Sequence, residues 1–142
     1  MLAKNETAPK EEIETAELVL SAMSPLGDAV AVFEGQSVNV FGGIPGERVV
    51  ARIYRYRRRK RSIVSAIVVD VLDASPERIT PPCPSYGPCS GCQWQHISYD
   101  LQLRLKREAI EAQLREYPSL ISAVVSPTRA APAPFNYRNH AR

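Results

Sequence analysis

The sequence is poor in the groups on which most enzyme chemistry depends. In 142 residues it has three cysteines, two histidines and one tryptophan, and the cysteines fall together as Cys83, Cys89 and Cys92. No Gly-rich turn joins a strand-like run to a helix-like run, so no segment suits a nucleotide-type cofactor. No apolar run has the length needed to cross a bilayer, and the N-terminus lacks a hydrophobic signal core. The expectation is a cytoplasmic protein with no membrane partner and with thiols kept reduced. No residue is assigned a catalytic role: beside the cysteines, Asp100 reads as a carboxylate of a helix first turn and His96 as a hydrogen-bonding support.

What chemistry there is lies in residues 83–96, Cys83-Pro-Ser-Tyr-Gly-Pro-Cys89-Ser-Gly-Cys92-Gln-Trp-Gln-His96. Three thiolates at C-x5-C-x2-C can converge on one soft metal centre, but they leave a tetrahedral or cubane site one ligand short. Three readings stand. The plainest is ordinary buried or disulfide cysteines in a loop, which an odd count and the absence of a secretory leader disfavour. The second is zinc, with His96 completing a Cys3His set. The third is an iron-sulfur cluster whose fourth thiolate lies beyond Arg142. Spacing does not separate the last two.

Upstream, the pattern is short β-rich runs at 18–21, 28–33, 37–40, 48–56 and 62–72, separated by turn chemistry such as Gly42-Gly43-Ile44-Pro45-Gly46. In the fourth run Val49, Ala51 and Ile53 share one face while Arg52 and Tyr54 share the other, as a period of two dictates. The fold class expected is mainly β with α: a small five-stranded, OB-like antiparallel barrel, then a Cys-rich loop and one long helix.

Net charge is only +3, yet seven of the eighteen Lys and Arg residues fall between Arg52 and Arg61. The hairpin Arg52, Tyr54, Arg55, Tyr56, Arg57, Arg58, Arg59, Lys60, Arg61 interleaves cations with aromatic rings. On such a barrel, that mix points to RNA, with guanidinium groups on phosphates and a tyrosine on an unpaired base. A merely solvated hairpin tip is the competing reading.

Beyond the cysteines a helix is expected from Tyr99 to Tyr117, capped by Ser98 and stopped by Pro118. It carries a main apolar stripe of Tyr99, Leu103, Ile110, Leu114 and Tyr117, and a weaker one of Leu101, Leu105, Ala109 and Ala112. Arg104/Glu108, Arg107/Glu111 and Glu111/Arg115 are spaced as i,i+4 pairs. A further strand is expected at 120–125, then a Pro/Ala-rich link. The division expected is a disordered leader at 1–14, the barrel at 15–74, linker and cysteine loop at 75–97, helix and strand at 98–126, and the start of a truncated next domain at 127–142.

Cys83-x5-Cys89-Ser90-Gly91-Cys92-x-x-Gln95-His96, followed by Tyr99-x-x-Gln102-x-x-x-Lys106, resembles the cluster segment of the class I, S-adenosylmethionine-dependent RNA (uracil-5)-methyltransferases. Residues 27–31 and 43–47 are similar to signatures of the TRAM domain, the small RNA-binding barrel with which members of that family begin. Ser90-Gly91 stands where the family usually shows Gly-Gly. The resemblance covers roughly residues 15–142. It implies a 4Fe-4S cluster held by Cys83, Cys89 and Cys92 with a fourth cysteine downstream, Gln95 and His96 supporting the ligands, and RNA as partner, ribosomal ahead of transfer RNA. It also implies a separate catalytic domain, absent from this chain, that uses S-adenosylmethionine, a nucleophilic cysteine and a carboxylate base. The expectation is therefore the N-terminal, catalytically incomplete portion of such an enzyme. The alternative is a stand-alone RNA-binding module with a Cys3His zinc site.

Overall fold

The computed structural model describes residues 14–58, 61–89 and 91–137; for Arg58 and Arg61 it describes the backbone alone. The disordered leader expected at 1–14 thus falls, but for Glu14, outside the described residues, as do Arg59 and Lys60.

Six strands build one curled sheet: β1 (Thr15–Val19), β2 (Ala22–Met23), β3 (Ala29–Phe33), β4 (Gln36–Phe41), β5 (Arg48–Arg58) and β6 (Arg61–Asp73), in the order β1-β5-β6-β4-β3-β2. The expectation of a mainly β domain followed by one helix holds. Two of its details do not. In place of the first run at 18–21 stand two strands, one ending at Val19 and one starting at Ala22, which makes six strands instead of five, because Leu20 and Ser21 turn the chain from one sheet edge to the other. Leu20 N–H donates to Glu47 O beside β5, and Ser21 N–H to Val30 O on β3. The hydrogen-bonded ladder consequently stays open between β1 and β2. Nor is the sheet wholly antiparallel, since β4 and β6 pair in parallel through Asn39, Val40 and Phe41.

Alternation along the strands places Leu18, Ala31, Val38, Val40, Val49, Ala51, Ile53 and Ala66 inside the curl as one core, joined by Leu20 at the joint. Against that core runs the glycine turn after β4. A Cβ built on Gly43 would stand 2.2 Å from Leu20 Cδ1, and Leu20 is itself fully buried and has nowhere to move. Gly43→Ala is therefore expected to destabilise the fold by about 1–3 kcal/mol through overpacking. Urea denaturation checks this; a variant with the parent midpoint would show that Leu20 is not confined.

The helix α1 spans Tyr99–Arg115, two residues shorter than its pattern suggests, with Ser98 Oγ accepting from Leu101 N–H as the cap. A 3-10 turn at Pro118–Leu120 follows. No strand forms at 120–125 among the described residues, since Leu120 closes the 3-10 turn and Ile121 caps it. The packed stripe is the one that looked weaker in sequence. Leu105, with Leu101 beside it, joins Ile44, Ile97, Met23 and Trp94 in a second core. Ile110 and Tyr117 of the stronger stripe stay exposed. Tyr99 and Leu103 are met by the chain's own tail: Thr128 Oγ1 donates to Leu103 O at 2.8 Å, and Tyr99 Oη accepts from Ala131 N–H at 2.8 Å. Glu111 pairs with both Arg107 and Arg115 as the spacing predicts, but Arg104 pairs with Glu77 in the linker instead of Glu108.

Candidate metal centre and nucleic-acid interface

The linker is stiff for a reason beyond its prolines. Glu47, from the turn before β5, has no exposed surface, and its carboxylate collects four donors. Ile44 N–H donates to it at 2.9 Å, Ser75 N–H at 3.1 Å, and Arg78 through Nε at 2.7 Å and Nη2 at 2.6 Å. Arg78 Nη2 also donates to Gly42 O at 2.8 Å. Burial pushes this carboxyl up, but Arg78 and the two amides outweigh burial and leave it below the usual carboxylate range. Glu77 completes the join by accepting from Ser98 Oγ and Arg104, and by its own carbonyl accepting from Ser98 N–H. Sheet, linker and helix start are thereby fastened together.

The cysteine loop hangs from that join. Cys83 N–H donates to Gln95 Oε1 at 3.2 Å, so Gln95 ties the loop's two ends. Trp94 Nε1 donates to Gly27 O at 2.6 Å and Gln93 Nε2 to Leu26 O at 3.3 Å, which dock the loop on the turn before β3. His96 is 3% exposed; its Nδ1 lies 2.5 Å from Tyr86 Oη and its Nε2 3.3 Å from Gly43 O. Burial pushes the Tyr86 phenol up to about 12, so it keeps its hydrogen, which it donates to Gln93 O at 2.6 Å. Which atom donates between His96 Nδ1 and Tyr86 Oη depends on the ring tautomer. Burial lowers the His96 pKa, and nearby Arg78 lowers it further. Both ring nitrogens thus face protein oxygens.

Cys83 is half-buried, Cys89 and Cys92 are exposed, and all three are free thiols. The donor set, three thiols on one turn-rich loop, suits a soft metal. Among the described residues, however, no three His, Cys, Asp or Glu side chains converge on a common metal position.

The basic hairpin separates into two faces. Register puts Arg52 opposite Ile67, Tyr54 opposite Ser65 and Tyr56 opposite Ile63, all on the outer surface of the sheet. Arg55 belongs to the inner face. It sits 5.5 Å over the Phe33 ring at the open end of the core, held by Glu14 at 3.0 and 2.9 Å and by Glu34 at 2.8 Å. Hydrogen bonds that it donates to Glu14 and then to Glu34 raise its pKa. Arg55, grouped in sequence with the phosphate-binding cations, is already neutralised twice over. Arg57 is exposed and has no ion pair among the described residues.

No family model matches the chain. Curated relatives do. An RNA methyltransferase of Chlorobaculum tepidum, itself uncharacterized, is 42% identical over 107 residues, 75% of this chain and 22% of the relative. The 23S rRNA (uracil(1939)-C(5))-methyltransferase RlmD of Alkalilimnicola ehrlichii is 37% identical over 130 residues, 91% of this chain and 28% of that protein. The chain belongs, as a segment, to the RNA methyltransferases. A further member of that family, from Bacillus cereus, is 33% identical over 98% of this chain. The chain spans between 22% and 30% of the length of these relatives.

The structure also brings forward residues for which the sequence pattern held no signal. Tyr86 lies between Cys83 and Cys89 with no role assigned from sequence, and Glu47 and Arg78 stand 31 positions apart with no periodicity to connect them.

Proposed function

We propose that the chain is the RNA-binding and 4Fe-4S-binding N-terminal portion of an S-adenosylmethionine-dependent RNA (uracil-5)-methyltransferase acting on ribosomal RNA. The observation that carries this reading is the kinship with RNA methyltransferases, one of them named for uracil C5 of 23S rRNA. Cys83, Cys89 and Cys92 would hold the cluster with a fourth cysteine outside this sequence. The TRAM-like sheet would position RNA, and the rest of the enzyme would supply S-adenosylmethionine and the catalytic groups. When bound, the cluster acts as a staple between loop and neighbouring domain, since methyl transfer to C5 needs no redox step.

His96 favours this reading over the Cys3His zinc module. To ligate zinc, His96 would have to give up its contact with Tyr86 or with Gly43 at the ligating nitrogen, and it is buried while Cys89 and Cys92 are exposed. Anaerobic purification of the full-length protein, followed by metal analysis and a visible spectrum, is expected to give brown protein with about four irons per chain. Colourless protein with one zinc, lost in His96→Ala, would establish the zinc module instead.

A further inference from the structure

We infer that the outer face of β5 is a stacking platform for two adjacent bases of unpaired RNA, with Tyr54 and Tyr56 as the stacking rings and Arg52 as a phosphate partner. The inference rests on the RNA reading above and adds to it the strandedness of the ligand and the residues that read it.

Tyr54 and Tyr56 are 39% and 49% exposed on a strand that is buried on its other side at Ile53. Being two residues apart they share a face, with their Cα atoms about 6.8 Å apart along the strand. Their cross-strand partners, Ser65 and Ile63, leave both rings open to solvent. Asn39 of β4, paired with Ser65 of β6, adds an amide on the same face one strand beyond Ser65. Arg52 is the next outward residue along the strand, and its Nε is buried with no hydrogen-bond partner. It has no carboxylate partner among the described residues, in contrast to Arg55 on the inner face. A buried, unpaired donor on a cation is costly, and a phosphate beside the guanidinium would lend it charge balance. Apolar Ile67 and Val69 extend this outer surface along β6 and, being exposed, leave it open to a flat ring system.

The ring spacing decides between single and double strands. In a duplex, successive bases of one strand stand about 3.4 Å apart and are closed to side-chain rings. Rings about 6.8 Å apart along a strand can be met by bases splayed from an extended single strand. Every base has a π-face, so the platform tolerates sequence while rejecting pairing.

The test uses the full chain and two probes, an unstructured oligouridine and a perfect RNA duplex of equal length, titrated at one salt concentration and then across a salt series. The parent is expected to prefer the single strand. Tyr54→Ala and Tyr56→Ala are each expected to weaken single-strand binding by about 5- to 150-fold, with the salt slope unchanged. Tyr54→Phe and Tyr56→Phe, which keep the ring, are expected to bind as the parent does and so exclude a folding defect. Alanine variants that bind the single strand as tightly as the parent, or a parent that binds both probes equally, would overturn the platform while leaving RNA binding itself standing. Binding of neither probe would overturn both.

Discussion

Glu47→Ala is expected to cost the fold about 3–5 kcal/mol, because it leaves the Arg78 guanidinium partly buried without its counter-charge. It also strips the Ile44 and Ser75 amides of their acceptor. That is a large share of the stability of a domain of this size. The loss should be local before it is global: with Glu47 gone, amide exchange at Ser75, Arg78 and Ile97 is expected to accelerate ahead of exchange in β5. The double variant Glu47→Leu/Arg78→Met is expected to be less destabilised than the sum of the singles, since removing both charges removes the desolvation burden with them. Acid should act on the same pair. The folded-state pKa of Glu47 is depressed, so its contribution is fully present above the ordinary carboxylate value of 4.5 and is lost as pH falls through the folded value. Stability of the parent should therefore fall below about pH 4.5 more steeply than that of Glu47→Gln. Denaturation midpoints measured between pH 3 and 7, roughly the span in which carboxylates titrate, give the answer. Parallel curves for parent and variant would show that the pair carries no net stability.

Replacing Arg57, Arg58, Arg59 and Arg61 together by Ser is expected to abolish most of the salt dependence of RNA binding. Each cation on a single-strand phosphate contributes about 0.7 to the slope of log K against log salt, so four contribute about 2.8. Between 50 and 200 mM salt the parent should then lose roughly fifty-fold more affinity than the variant. Arg55→Gln is the informative control. Arg55 is committed to Glu14 and Glu34 and releases no counterion on binding, so this variant should leave the slope unchanged while loosening the open end of the core around Phe33. A quadruple variant with the parent's affinity and slope would remove the hairpin from the RNA interface. A loss of slope in Arg55→Gln equal to that in Arg57→Gln would mean that the ion triad opens when RNA binds.

Much of the architecture was legible in local pattern. Alternation in β5 sorted Val49, Ala51 and Ile53 from Arg52 and Tyr54, and register confirms that division. Ser98 announced the helix start and Pro118 its end to within two residues. The cysteine run with Gln95-His96, and the turns at residues 27–31 and 43–47, pointed to RNA methyltransferases, and the relatives place the chain in that family. Such signals survive in sequence because periodicity, capping and turn chemistry act over a few residues.

Tertiary structure alone decided the rest. Which helix stripe would be buried depended on what stood opposite: Ile44 and Ile97 were there for Leu101 and Leu105, and among the described residues Ile110 and Tyr117 stay about half exposed. Which arginine stayed free depended on carboxylates 21 and 41 positions away from Arg55. The break at Leu20-Ser21, the parallel pairing of β4 with β6, and the Glu47–Arg78 clasp likewise join residues far apart in the chain. Composition and spacing determined that this protein has a β-rich domain, a cysteine loop and a concentrated positive charge. Long-range contact determined which of those charges are neutralised, because a charge run reads the same in sequence whether its partners are phosphates or the protein's own carboxylates.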